Sequence, residues 1–287
     1  LKTTCVKLTT SVTLCDTGRI QRMLPLEWMW ALVLAPVLVA AAMRVRADQL
    51  VLRDCDDNGI LRLTMNDPKT RNSLSEAMME ALASALADAR DDADVRVIVI
   101  AANGPVFCAG HNLKEMTAAR TNPQNEGDRG RAYFTRVLGQ CSRLMASLPA
   151  HPKPIIAEVA ATATAAGCQL AASCDLAVAS HEASFATPGV HIGLFCSTPM
   201  VALSRKVAPK HAMEMLLTGE TIEAGEAKEY GLINRIVPED YLDQVVTKYA
   251  ETIAAKSPLT VKIGKEAFYN QLEMGLSDAY DYTAKVM

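Results

Sequence analysis

The sequence predicts an α/β protein with a parallel-type sheet and helices around it, on three observations. Strand-like and helix-like patterns alternate through the first two thirds of the segment that follows residue 46. The stretch from Ser197 onward is mainly helical. Val95–Ala101 (VRVIVIA) has the apolar, β-branched character of a buried strand. Alternating β and α units followed by helices require a sheet layer covered by helices.

Taken in order, Ile60–Met65 (ILRLTM) alternates apolar and polar side chains, as a half-buried strand does. Asn66-Asp67-Pro68 is a turn signal. Ser75 is placed to N-cap a helix from Glu76 to about Arg90, with Ala, Leu and Met on one face. Asn103-Gly104-Pro105 ends the Val95–Ala101 strand. Residues 120–130 (RTNPQNEGDRG) lack periodicity and are expected to form a mobile loop. A helix is expected from Arg131 to Leu148, a strand over Pro154–Val159, a short helix over Ala165–Ser173 and a strand over Asp175–Ala179. The helical remainder breaks at Pro209, Gly219, Gly231 and Pro258, with one strand expected at Ile233–Val237. No internal repeat or low-complexity tract interrupts it.

The net charge of -3 gives no reason to expect nucleic acid as a partner. The charge is uneven: residues 1–46 are positive and acid-poor, while the body carries the negative excess. Residues 28–43 are continuously apolar but too short for a stable membrane span, with Pro36 inside and Arg44 and Arg46 after them. Residues 1–46 therefore read as a leader, either a mitochondrial transit segment or a gene-model artefact, and 47–287 as the folded domain. A secretory signal starting at Met23 fits less well, because no basic residue precedes its apolar core. The eight cysteines form no C-x-x-C pair and no zinc-like cluster, so they are expected to be reduced thiols, with no metal site.

Two segments carry the chemistry: PVFCAGHNLKEM (105–116) and AATATAAGCQLAASCDLAVAS (160–180). Each leads from a strand through small residues into a helix, whose first N–H groups have no internal partner. Two such groups aimed at one point form an oxyanion hole, suited to a thioester carbonyl that gains charge on enolate formation. Each segment alone is also what tight helix–strand packing looks like.

The two segments in this order resemble the enoyl-CoA hydratase/isomerase (crotonase) superfamily. DPKTRNSLS (67–75), TPGVHIGLFCSTP (187–199) and EMLLTGETIEAGEAKEYGLINRIV (214–237) match further blocks of it. The resemblance runs from about Asp54 to the C-terminus. It implies a crotonase-type ββα spiral core, a helical C-terminal trimerisation region, and a homotrimer or dimer of trimers. It implies coenzyme A as part of an acyl-CoA ligand and no permanently bound cofactor.

Residue by residue, the resemblance implies that the oxyanion N–H donors are those of His111 and Ala166. It places Lys69, Arg71, Asn72 and Lys114 beside the coenzyme A groove, where cations suit phosphates. The family's two hydratase glutamates fall on Gln169 and Gly189. Gln neither gives up nor takes a proton near neutral pH and Gly has no side chain, so both usual acid/base groups are missing. Cys196 and Ser197 lie where the family places residues near the reacting carbons. Each is either a substitute group or part of the pocket wall, and His191 is five residues from Cys196. Glu158 and Asp175 read as structural. Asn112 stands for the usual Asp, and Ala160-Ala161 for the usual Asn-Gly. The chain ends before the family's final helical segment, which is expected to weaken coenzyme A affinity and trimer packing.

Overall fold

The structure, a computed structural model, describes residues 49–125 and 127–287. The expected leader lies outside the described residues. The Asp-Asn-Gly run at 57–59 turns β1 (Val51–Cys55) back onto β2 (Ile60–Met65) as an antiparallel hairpin, with Gly59 at φ 78. The Asp56 side chain closes the turn by accepting from the Asn58 and Ile60 N–H groups at 2.9 and 2.8 Å. This first strand was not among the expected elements.

Ser75 caps α1 (Glu76–Asp91), accepting from the Met78 N–H at 3.1 Å. Met78, Met79, Leu82, Ala85, Leu86 and Ala89 form its buried face, at the spacing of one helical stripe. β3 (Val97–Ala102) pairs parallel with β2. Its side chains alternate between two cores: Ile98 and Ile100 join the main one, Val97 and Val99 a second. Burial on both faces explains the unbroken apolar run.

The chain then repeats one pattern. β3 is followed by β4 (Val106–Cys108) and α2 (Leu113–Thr121). After α3 (Arg131–Ser147), β5 (Ile155–Val159) is followed by β6 (Thr162–Thr164) and α4 (Ala166–Ser173). β7 (Leu176–Ser180) is followed by β8 (Ser184–Ala186) and, after a turn of 3-10 helix, α5 (Ser197–Leu203). In each unit the first strand joins a sheet ordered β1-β2-β3-β5-β7-β10 and the second a sheet ordered β4-β6-β8-β9. This is the ββα progression that the resemblance implied. The second sheet is built of three-residue strands, too short for a periodic pattern, and the sequence had not revealed it.

The loop expected over 120–130 is shorter than its composition suggested: α2 extends to Thr121 and a 3-10 turn covers Pro123–Asn125. After α6 (Pro209–Thr218), β9 (Thr221–Glu223) and α7 (Ala224–Glu229), β10 (Arg235–Val237) closes the large sheet beside β7. α8 (Leu242–Ala254) lays Leu242, Val246 and Ala250 over the second core. α9 (Pro258–Gln271) and α10 (Leu276–Val286) complete the chain.

The two acids read as structural are held inside the protein. Glu158 pairs with Arg62 at 2.5 Å. Asp175 accepts from the Ile155 N–H at 2.7 Å, from Lys265 at 2.6 Å and from the Tyr269 hydroxyl at 2.8 Å, fastening α9 to the core. Lys265 also donates to the Leu148 and Lys153 carbonyls, both at 3.0 Å.

Candidate functional site

β4 and β6 are parallel neighbours, so the segments leaving their C-terminal ends open side by side. Ligands of α/β proteins bind at this edge. The Leu74 N–H donates to the Gly110 carbonyl at 2.7 Å, and Leu74 and His111 form a parallel bridge. In a bridge of that register the N–H of His111 points away from Leu74. Gly110, at φ 85, lies against the start of α4: a Cβ there would meet the Ala165 Cβ at 2.9 Å and the Ala166 nitrogen at 3.3 Å. The two small-residue segments therefore touch.

α4 begins at Ala166 and is buried throughout. Gly167 packs so closely on β4 that a Cβ would come within 2.1 Å of the Cys108 carbonyl oxygen. Ala165 holds φ 51 and ψ -117, a conformation that residues with a Cβ rarely adopt. Its N–H donates to the Ala186 carbonyl at 2.9 Å, at the turn from β6 into α4. Among the described residues no hydrogen bond engages the N–H of His111 or of Ala166.

The His111 ring is mostly buried, and neither nitrogen has a hydrogen-bond partner; the Leu74 carbonyl is near but outside bonding geometry. Burial lowers the ring's pKa and favours the neutral imidazole. Asn112 caps α2, accepting from the Lys114 and Glu115 N–H groups at 3.1 and 3.5 Å. Amide and carboxylate oxygens serve this role equally, which explains the tolerance for Asn.

A model of the enoyl-CoA hydratase/isomerase family matches residues 56–287. The chain belongs to this family. It is similar to the rat protein named enoyl-CoA hydratase domain-containing protein 3, mitochondrial, at 49% identity over 80% of this chain and 74% of that protein. A putative enoyl-CoA hydratase of Thermus thermophilus is 34% identical over 77% of this chain and 84% of its own length. The crystal structure of human enoyl-CoA hydratase domain-containing protein 3 superposes with a TM-score of 0.78 at 46% identity, over 83% of this chain and 90% of that one. The crotonase fold is thereby established.

Gln169 and Gly189, the two positions where the resemblance implied missing acid/base groups, are both buried. Gln169, one turn into α4, is 4% exposed, and its Oε1 has no partner. Gly189 is enclosed: a Cβ would meet the Leu194 carbonyl oxygen at 2.7 Å and the Cys196 Sγ at 2.8 Å. Cys196 thus fills the space that a side chain at 189 would need. Burial pushes the Cys196 thiol pKa up, the opposite of nucleophile activation. His191 does not correct this, since its Nε2 is engaged with the Gly219 carbonyl at 3.2 Å. Ser197 is exposed, and its hydroxyl donates to the Phe195 carbonyl at 3.3 Å.

Of the expected coenzyme A contacts, Lys69, Arg71 and Lys114 are exposed. Arg71 lies beside the site, its carbonyl accepting from the Ala109 N–H at 3.1 Å. Asn72 is set apart from these by its burial. Its side chain is fully buried, donates to the Asn103 and Val106 carbonyls, both at 2.8 Å, and accepts from the Asp67 N–H at 2.9 Å. It braces the 67–72 turn and has no amide atom left for a ligand.

A cavity of about 1070 Å³ runs along α4 from Gln169 to Ser173, between α3, α5 and α9. A smaller groove of about 390 Å³ beside Arg96 and Lys256 contains none of the site residues. Among the described residues no cluster of His, Cys, Asp and Glu could hold a metal ion, and no helix is long and apolar enough to cross a membrane.

Proposed function

We propose that this protein binds an acyl-CoA thioester, holds its carbonyl oxygen with the His111 and Ala166 N–H groups, and does not perform ordinary enoyl-CoA hydration. The observation that carries the binding is the contact between the Gly110 turn and the start of α4, with both N–H groups unengaged. Donors fixed before the ligand arrives stabilise a developing oxyanion without reorganisation. Lys69, Arg71 and Lys114 border the phosphate groups. The loss of hydration rests on Gln169 and on the filled space at Gly189. Neither position offers a group that exchanges protons with water near neutral pH.

A second reading, a lyase or isomerase with non-standard residues, is favoured by the His111 ring. That ring is mostly buried and unpartnered, its burial favours the neutral form, and it could accept a proton from an acyl carbon. The acid-poor leader and the mitochondrial names of the relatives support a mitochondrial location. Exposed Leu259, Ile263, Phe268, Leu272, Leu276 and Tyr280 on and around the two last helices support a homotrimer or dimer of trimers.

Calorimetric titration of the full chain with crotonyl-CoA, followed by a hydration assay on the same sample, tests this reading. Binding without hydration is expected. Hydration at rates typical of enzymes would overturn the loss of the acid/base pair. Absence of binding would overturn the proposed site.

A further inference from the structure

The cavity beside α4 has two chemically different ends. Gln169 and Thr198 stand at the end next to Ala166, and Met145, Ala146, Ala172 and Val201 make an apolar stretch. Lys206, just beyond the end of α5, stands at the C-terminal end of α4: its ammonium reaches the Tyr269 hydroxyl, which donates to Asp175, two residues past Ser173.

The cavity lining also includes Arg90, Lys262 and Glu266, and Arg205 with Glu273 as a pair with N···O 3.3 Å. Lys206 is half-buried, and among the described residues no carboxylate pairs with it. Its ammonium is 3.5 Å from the Tyr269 hydroxyl and 5.3 Å from the centre of that ring. Asp175, the nearby buried acid, is already committed to Lys265, Tyr269 and the Ile155 N–H. An ammonium partly withdrawn from water, hydrogen-bonded among the described residues to a phenol and to no carboxylate, is a site for an anion. The buried, unpartnered Oε1 of Gln169 is an independent sign that the same cavity takes a ligand with polar groups.

We infer that the cavity selects acyl-CoA thioesters whose chain ends in a carboxylate, with Lys206 as the terminal anchor and Gln169 facing the carbons near the thioester. This rests on the proposed seating of the thioester carbonyl at Ala166. Seven residues of α4 separate Ala166 from Ser173, a rise of about 10 Å. Carbon–carbon bonds of about 1.5 Å advance an extended chain roughly 1.25 Å each, so about eight carbons span that distance. A plain fatty chain of this length would place a methyl group against the cations. A terminal carboxylate would instead form a charge-assisted hydrogen bond with Lys206.

Titration of the full chain with octanoyl-CoA and with suberyl-CoA, its counterpart ending in a carboxylate, tests the inference. Suberyl-CoA is expected to bind about tenfold more tightly or better. In Lys206→Met, which keeps the aliphatic stem, that preference should vanish while octanoyl-CoA binds as before or more tightly. Unchanged octanoyl-CoA binding also shows that the variant is folded; if it is not, Lys206→Gln, which keeps a polar head on the stem, should lose the preference instead. Equal binding of the two thioesters to the wild type, or a preference that survives both variants, would overturn the inference and leave the thioester site standing. No binding of either would overturn both.

Discussion

At the C-terminal end of α4, the buried polar groups answer one another. Asp175 accepts three hydrogen bonds, Lys265 donates three, and the Ser173 hydroxyl closes on the Gln169 carbonyl at 2.7 Å. At the N-terminal end the Ala166 N–H is unengaged, Gln169 Oε1 has no partner, and both His111 nitrogens are unpaired. The backbone there departs from relaxed geometry as well, at Ala165. One eight-residue helix thus carries a structural end and a receptive end. Burying a polar group without a partner is costly, so such groups persist where a ligand completes them.

The contrast can be broken most directly at the satisfied end. Lys265→Met leaves the Asp175 carboxylate buried without its counter-ion and should cost about 3–5 kcal/mol in urea unfolding. A loss under about 1 kcal/mol would mean that this end is not held by the pair. At the receptive end, Gly110→Ala forces a Cβ at φ 85 against Ala165 and should cost about 1–3 kcal/mol, together with most of the acyl-CoA affinity. The converse change, Ala165→Gly, relieves its positive φ and should be neutral or stabilising by up to about 1 kcal/mol. Destabilisation by Ala165→Gly would show that Ala165 is not strained.

Gln169→Met sharpens the comparison further. Removing a buried acceptor that has no donor should leave stability unchanged or raise it by roughly 1 kcal/mol. A clear loss in thermal unfolding would show that Oε1 has a partner in the free protein. The smallest effect concerns pH. Burial lowers the His111 pKa from 6.5, so the unfolded chain binds the proton more readily. Its contribution to stability is full above pH 6.5 and declines as pH falls toward the folded-state pKa. His151 is shifted in the same direction, also by burial, so the wild type should lose stability below pH 6.5 from both residues. In His111→Asn the slope of unfolding free energy against pH between 5 and 6.5 should be shallower than in the wild type. An identical slope would place the His111 ring in solvent.

Local sequence was sufficient where one residue sets one turn. Ser75 caps its helix through its own side-chain oxygen, and the β-branched run of β3 specifies burial on both faces. It was insufficient where strands are three residues long, as in β4, β6, β8 and β9, because so short a stretch has no period to read. Among the site residues, Asn72 shows the limit most clearly. Its place in a motif suggested a ligand contact, yet its amide is used up by Asn103, Val106 and Asp67. The anchoring network of Asp175, Lys265 and Tyr269, and with it Lys206, joins residues about 30 to 95 positions apart. No local signal marks such a group.

Sequence by itself determined that Gln169 and Gly189 carry no group that exchanges protons near neutral pH, whatever surrounds them, because proton exchange is a property of the side chain. It also determined where glycine and alanine let two segments come close. Only the tertiary structure decided that those segments meet, that Cys196 fills the space beside Gly189, and that Lys206 lines the cavity along α4 beside Tyr269. Contact, burial and the pairing of charges depend on elements far apart in the chain, and these are set only when the sheets close around α4.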